Sequence, residues 1–290
     1  MNKLELIDTK KSQVEDVYKL VFKDEDVLEV SYIRKNDGKD ILVVPTQTSC
    51  SMGCTFCFLT AMNIPAKNLH HDRILNLIDA SLDYQKPKND TLLISYMGSG
   101  EPMLNCSGVI NSALDLKYNE HWEHIQKSYK NIRFAISTIL PGKNRFKTFK
   151  ENVITYKLPF KLHWSLHSLN VPSRKSLMPA ASPVVEGLEM IEEYMEETEQ
   201  PVEIHYTLIN NVNDSEEDLD KFEKLVTKKA NIKILKFAEK KEKPDMYESA
   251  NTAFFRKGLE DRGFMVEVYS PPGRDISASC GMFILDQYTK

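Results

Sequence analysis

Six apolar, strand-like runs alternate with helical patterns along this chain of 290 residues, and this alternation limits the folds open to it. The strand candidates are residues 41–47, 92–97, 132–138, 161–167, 202–209 and 232–237. The helical candidates are residues 72–85, 105–116, 143–151, 183–197, 214–228 and 249–263. Strands that alternate with crossover helices form a parallel sheet, and six units are fewer than the eight of a complete barrel. We therefore predict an α/β fold containing a partial (β/α)6 barrel.

The first forty residues differ from this pattern. Residues 17–22 and 27–33 are apolar runs on either side of the polar turn Lys23-Asp-Glu-Asp26, which predicts a β-hairpin. We expect this hairpin to be an N-terminal extension over residues 1–40, followed by the barrel over residues 41–290.

Composition indicates a soluble globular protein of the cytoplasm. The chain is 41% hydrophobic and 28% charged, which is ordinary for such proteins. We find no apolar stretch near the roughly 20 residues of a membrane span, and no signal segment at the N-terminus. Five cysteines, an odd number, argue against a secreted disulfide scaffold. The net charge of −4 is unlike that of proteins that wrap a long nucleic acid, although it permits a local basic patch.

Cys50, Cys54 and Cys57 follow the first strand candidate with C-x₃-C-x₂-C spacing. Three thiolates at this spacing can hold three irons of a [4Fe–4S] cluster and leave the fourth iron open to a small molecule. A structural zinc site usually takes four ligands in paired C-x₂-C units, and the other two cysteines are far away in sequence. Thiols that only pack would have no preferred spacing. The motif therefore favours a cluster, and Phe56 within it fits either an aromatic cover over an adenine or a core residue.

Glycines and polar side chains follow the next strand candidates, at the ends where α/β barrels place their chemistry. After the second strand, Gly100 permits close approach of the backbone to a ligand, and the Glu101 carboxylate can accept a hydrogen bond from an α-ammonium group. Ser137 ends the third strand, and Ser165 and His167 end the fourth. These side chains can bind a carboxylate or a ribose, but each serine taken alone is better explained by a turn or a helix cap.

Cys280 lies in an irregular segment near the end of the sequence. It follows a predicted last strand over residues 265–269 and a Pro-Pro-Gly loop, and it precedes Gly281. This setting favours a reactive thiol over a packed one.

Together these features resemble the radical S-adenosylmethionine enzymes and, within them, the RlmN/Cfr adenosine methyltransferases. The resemblance covers about residues 27–285. It is carried by Gln47 with the three cysteines and Phe56, and by residues 97–105, 165–167, 174 with 177–179, 212–215 and 275–281.

The resemblance implies a cluster that binds the methionyl amine and carboxylate of S-adenosylmethionine, with reductive cleavage of the sulfonium to a 5′-deoxyadenosyl radical. It implies that Gly100 and Glu101 contact the amino group of the cofactor. It also implies that Ser137, Ser165 and His167 line the rest of the cofactor site. A reducing partner such as flavodoxin or ferredoxin would supply the electron.

The same resemblance assigns a methyl carrier and a proton-transfer group. Cys280 matches a cysteine that takes a methyl group from one cofactor molecule and is then attacked by the radical from a second. Glu29, in the hairpin, matches a carboxylate that transfers a proton. The implied substrate is RNA or a nucleotide-like molecule.

Three features depart from the family pattern. A second catalytic cysteine is expected seven residues before Cys50, where this chain has Val43. A ribose-binding asparagine is replaced near Ala238, and we find no counterpart of the N-terminal accessory RNA domain. Cys106 can replace the missing thiol only if the fold brings it close.

Three functions therefore stay open at the level of sequence. The first is methylation of an unactivated carbon through Cys280. The second is a radical rearrangement, cyclisation or epimerisation of a small molecule or peptide without methylation. The third and least favoured is a non-catalytic iron–sulfur protein.

Overall fold

A computed structural model describes residues 3–62, 64–239, 245–278 and 282. One sheet joins ten strands in chain order. The strands are β1 (Glu5–Lys11), β2 (Val17–Lys23), β3 (Val27–Arg34), β4 (Lys39–Pro45), β5 (Thr91–Gly98), β6 (Asn131–Thr138), β7 (Phe160–Ser165), β8 (Val202–Leu208), β9 (Asn231–Lys236) and β10 (Val266–Tyr269). The helices are α1 (Phe58–Met62), α2 (His71–Tyr84), α3 (Cys106–Tyr118), α4 (Glu123–Ser128), α5 (Lys143–Thr155), α6 (Val171–Leu177), α7 (Val184–Thr198), α8 (Glu216–Leu225) and α9 (Thr252–Asp261).

The sheet changes from antiparallel to parallel pairing at β4. Strands β1 to β4 pair antiparallel, with Ser31 of β3 opposite Val43 of β4. Strands β4 to β10 pair parallel, with Val43 opposite Ser95 of β5. The predicted α/β fold with a partial barrel and N-terminal antiparallel strands is confirmed, although the sequence pattern missed β1. The domain division at residue 40 stays a prediction.

The two faces of the parallel strands have different environments. On β7, Phe160, Leu162 and Trp164 are fully buried and belong to the main hydrophobic core, which helices cover. Because side chains alternate along a strand, Lys161, His163 and Ser165 lie on the opposite face, inside the barrel. The helices therefore pack against the apolar outer face of the strands, and the inner face carries polar side chains.

The helices pack tightly on this core. A side chain at Gly187 in α7 would place its Cβ 2.4 Å from the Trp164 ring, so glycine is needed for α7 to approach β7. Each fully buried large apolar side chain contributes about 1.5–3 kcal/mol to stability. This packing fixes the carboxyl ends of the strands, where the predicted site residues lie.

Among the residues that the structure describes, no helix combines the length and the apolar character needed to cross a bilayer.

Candidate active site

The three motif cysteines lie in the loop after β4 and line one cavity together with Phe56. Cys50, Cys54 and Cys57 are each partly buried. The Cys57 N–H and the Thr60 hydroxyl both donate to the Cys54 carbonyl, at 3.1 and 2.8 Å, which folds the loop tightly. Burial raises the pKa of Cys50 to about 12 and also raises that of Cys54, so these thiols need a bound metal to become thiolates at neutral pH.

This cavity fits an iron–sulfur cluster. Three soft sulfur donors from one loop lie on its wall, and apolar side chains make up much of the remaining lining. Thiolate ligands and an apolar surround that limits water access are what such clusters require.

Gly100 brings the loop after β5 against the cysteine loop. Its φ of +108° lies in a region that side chains disfavour, and a Cβ there would lie 2.8 Å from atoms of Gln47 and Thr46. The Gln47 Oε1 accepts a hydrogen bond from the Glu101 N–H at 2.9 Å. A glycine is therefore required for these two loops to meet.

Glu101 is buried at the cavity wall, and its carboxylate accepts three hydrogen bonds. Oε1 accepts from the Met103 N–H at 3.1 Å and from the Thr138 hydroxyl at 2.6 Å, while Oε2 accepts from the Ile139 N–H at 3.1 Å. Burial raises the pKa of Glu101 to about 7 against the effect of these donors. A cation at Oε2 would favour the ionised carboxylate, because an opposite charge stabilises it.

His167 lies on the far wall of the cavity beside the two predicted serines. Its Nδ1 accepts a hydrogen bond from the Thr207 N–H at 3.0 Å, and burial lowers its pKa to about 3. The imidazole is therefore neutral with its proton on Nε2. The Phe56 ring contacts it edge-on at 5.1 Å, and the Ser137 and Ser165 hydroxyls lie 3.2 Å apart. The nine predicted cluster and cofactor residues come from the ends of four successive strands, β4 to β7, and all of them line this one cavity.

The structure also shows a residue that the sequence reasoning gave no role at the site. Asn213 is fully buried, and its Nδ2 donates to the carbonyls of His167, at 2.5 Å, and Thr207, at 2.7 Å. Its Oδ1 accepts from the Ile209 N–H at 2.8 Å. Asn213 therefore holds His167 in its left-handed conformation, at φ +52°. The signal was present, since Asn213 lies in one of the motifs that carry the family resemblance.

Comparison with known proteins gives a consistent assignment. No family model matches the chain. A probable dual-specificity RNA methyltransferase RlmN of Clostridium beijerinckii is 30% identical over 282 residues, covering 95% of this chain and 76% of that protein. The chain belongs to the RlmN family. An RlmN of Symbiobacterium thermophilum is also 30% identical, over 86% of this chain, which spans only 65% of that relative's length.

A solved structure supports the fold of this RlmN-family member. The crystal structure of a radical SAM methyltransferase from Sphaerobacter thermophilus matches with a TM-score of 0.84 at 22% identity, over 97% of this chain and 81% of that one. The 30% identity to the Clostridium beijerinckii protein confirms the family resemblance predicted from the sequence.

The structure does not place either of the two residues predicted to be catalytic, Cys280 and Glu29, among the described residues that line the cavity. Cys280 is outside the described residues. Glu29 on β3 does not line the cavity but is buried beside Lys19 of β2, with Nζ and Oε2 3.1 Å apart and neither side chain exposed. Lys19 also donates to the Ser277 carbonyl at 3.3 Å, and the Ser31 hydroxyl donates to the next carbonyl, at Ala278. This ion pair therefore lies under the segment that leads to Cys280.

Val43 and Cys106, the two positions that bear on the missing second thiol, lie differently with respect to the cavity. Val43 lines the cavity, so the expected second thiol is replaced by an apolar wall. Cys106 packs against the main core and is not among the cavity-lining residues. Of the described cysteines, those at the cavity are the three in the motif, and the suggestion that Cys106 supplies the missing thiol is not supported.

A second group of ionisable side chains lies inside the barrel below the cavity. His163, Glu203 and His205 are close enough to share a metal ion. However, Lys233 and His205 already contact Glu203 Oε1, at 2.8 and 3.0 Å, and Lys161 contacts Oε2 at 2.7 Å. Two ammonium groups already paired with the Glu203 carboxylate oppose a divalent cation. This group is an ion-pair network, and His205 connects it to the cavity.

Proposed function

We propose that this chain is a radical S-adenosylmethionine methyltransferase that acts on RNA or a nucleotide-like substrate. It would use a [4Fe–4S] cluster held by Cys50, Cys54 and Cys57, and transfer a methyl-derived carbon through Cys280 to an unactivated carbon. The observation that carries the proposal is one cavity lined by the three cysteines together with Gly100, Glu101, Ser137, Ser165 and His167. The RNA substrate class comes from the RlmN relatives, which are named as RNA methyltransferases.

Glu101 and His167 each have a role at the cavity that follows from their hydrogen bonds. The bound cluster would supply the electron that cleaves S-adenosylmethionine, after reduction by a partner such as flavodoxin or ferredoxin. Glu101 would accept a hydrogen bond from the ammonium group of the cofactor at Oε2, since Oε1 already has two donors. His167 would donate from Nε2, because its Nδ1 is an acceptor for the Thr207 N–H.

Three further side chains would orient and protect the cofactor. Phe56 would cover the adenine, since its ring already packs on His167 at the cavity wall. Val43 and Met97 would exclude water from the reacting centre, because both present apolar surface to the cavity.

The test is a mass-spectrometric account of both cofactor products. The protein is reconstituted with iron and sulfide without oxygen, reduced, and incubated with S-adenosylmethionine and a short adenosine-containing RNA. We expect S-adenosylhomocysteine and 5′-deoxyadenosine together, and one added methyl group on the intact protein. The Cys280→Ala variant should lack the added methyl group.

Cys106→Ala is the matched control. Cys106 packs against the core away from the cavity, so this variant should keep both products and the protein-bound methyl group. Wild-type protein that binds no iron, or that never yields 5′-deoxyadenosine, would contradict the proposal.

A second function is favoured by Val43. Because a valine stands where the family has a thiol, the described cavity residues offer no cysteine besides the three proposed cluster ligands to release a covalent adduct on Cys280. A radical rearrangement, cyclisation or epimerisation needs no such release. This alternative predicts 5′-deoxyadenosine without S-adenosylhomocysteine and without methylation of Cys280.

A further inference from the structure

Arg174 is a buried cation that has no carboxylate partner among the described residues. It is 4% exposed, and its guanidinium lies 5.5 Å from the centre of the Trp164 ring. Nη1 donates to the carbonyls of Leu166 and, at 3.3 Å, Ser165, and Nε donates to Ser182 at 3.4 Å. Nη2 is buried without a hydrogen-bond partner in the described part of the chain. A buried charge in this state is costly unless an anion compensates it.

The segment that carries Arg174 packs against the cysteine loop. The Thr55 N–H, between two motif cysteines, donates to the Leu177 carbonyl at 2.9 Å. Met178 is buried in a small apolar cluster that Cys54 packs against. The Met178 N–H donates to the Arg174 carbonyl at 2.8 Å, so Arg174 lies one helical turn before the residues that contact the cysteine loop.

A purely structural role accounts for only part of this arrangement. Nη1 and Nε fasten α6 to the end of β7, and a neutral donor can make the same hydrogen bonds. A structural role therefore explains neither the positive charge of Arg174 nor the absence of a hydrogen-bond partner for Nη2 in the described part of the chain. A cluster held by three thiolates is an anion, and reduction makes it more negative.

We propose that Arg174 is the counter-charge of the cluster, stabilising the loaded protein and raising the reduction potential of the cluster. The inference rests on the proposed function, because it requires a cluster at Cys50, Cys54 and Cys57. Arg174 acts through the cluster and is a positioning residue. It favours the reduced state because an electron added near a fixed positive charge is stabilised.

Two variants separate the charge from the hydrogen bonds. Arg174→Gln keeps a donor for the Leu166 carbonyl and removes the charge, whereas Arg174→Lys keeps the charge and loses the planar fork. Each protein is reconstituted without oxygen, and three quantities are measured. These are iron per chain, the midpoint potential by electron paramagnetic resonance during reductive titration, and the rise in thermal midpoint on cluster loading.

We expect the potential to fall in Arg174→Gln and to stay near the wild-type value in Arg174→Lys. The rise in thermal midpoint on loading should also shrink in the Gln variant. Arg262→Gln is the control, because Arg262 pairs with Glu216 and Asp220 between α8 and α9. It should lower the thermal midpoints of the empty and loaded protein equally and leave the potential unchanged.

Equal potentials for wild type and Arg174→Gln, with an equal gain on loading, would overturn the inference and leave Arg174 a structural residue. If Arg174→Gln does not fold, Arg174→Lys provides the test. Because this variant keeps the charge, a midpoint potential well below the wild-type value would also overturn the inference. Wild-type protein without a cluster contradicts the proposed function instead, so the two failures are distinguishable.

Discussion

At the scale of single residues, the ionisation of Glu101 should control cofactor binding. Its pKa is raised to about 7, so the carboxylate is protonated below that pH and ionised above it. An ammonium group binds the ionised form, so affinity should fall as the pH drops. Between pH 8 and pH 6, we expect the affinity of the reconstituted protein for S-adenosylmethionine to weaken by about tenfold, measured by equilibrium binding.

Thr138→Val tests the cause of this pH dependence. It removes the hydroxyl that donates to Glu101 Oε1 at 2.6 Å, so the pKa of Glu101 should rise and the pH midpoint of binding should move upward. Thr148→Val, on the exposed face of α5, is the control and should leave the midpoint unchanged. An affinity independent of pH between 6 and 8 would show that Glu101 does not meet the ammonium group.

The cavity residues that the sequence predicted lie at or after strand ends, and the chemistry of each can be recognised from its residue type and its immediate neighbours. Cys50, Glu101 and His167 are of this kind. Asn213 and Arg174 act on carbonyl oxygens of other loops, and a carbonyl acceptor leaves no trace in the sequence. Their roles became visible only when the fold placed β7, β8 and α6 together.

At the scale of elements, β2 and β3 carry a buried ion pair whose partners are both fully covered. Lys19→Met should leave the Glu29 charge buried without this partner and lower the free energy of unfolding by about 3–5 kcal/mol. The double variant Lys19→Met, Glu29→Leu should recover much of that loss, because it removes both charges. Denaturant unfolding of the single and double variants measures this.

The exposed pair Lys127–Glu123 on α4 provides the control for the ion-pair prediction. Both side chains are largely exposed, so Lys127→Met should change the free energy of unfolding by no more than about 1 kcal/mol. A loss in Lys19→Met as small as this would mean that Lys19 and Glu29 do not depend on each other.

The loop between β8 and α8 should control the position of His167 through Asn213. Asn213→Ala leaves buried carbonyls of His167 and Thr207 without this donor, which costs about 1–3 kcal/mol and frees the His167 backbone. We expect weaker S-adenosylmethionine binding with normal iron content. Cofactor affinity equal to that of wild type would show that His167 is held by other contacts.

The elements that the sequence predicted well are those with a buried apolar face. The parallel strands and long helices lie within a few residues of their predicted bounds, and Ser215 caps α8 through a capping box with Asp218. Strand β1 was missed because it is an edge strand of mostly exposed residues, Glu5–Lys11, without apolar alternation. Helix α6 was missed because its seven residues are too few to show helical periodicity.

At the scale of the whole molecule, the core that holds the sheet and helices together is separate from the cysteine loop. The main core lies between the strands and the covering helices, and none of the three motif cysteines belongs to it. Cys54 packs instead against a smaller apolar cluster around Met178 and Phe237. The barrel should therefore fold without the cluster, unlike a small domain in which metal binding supplies the folding free energy.

The triple variant Cys50→Ala, Cys54→Ala, Cys57→Ala tests this separation. Because the main core is untouched, its circular dichroism spectrum and thermal midpoint should match those of cluster-free wild-type protein. It should bind no iron after reconstitution, show no brown chromophore and produce no 5′-deoxyadenosine. Full iron loading in this variant would refute the ligand assignment. A collapse of its thermal midpoint below that of cluster-free wild type would instead show that the cysteine loop supports the fold, because the thiols would then be packing elements as well as ligands.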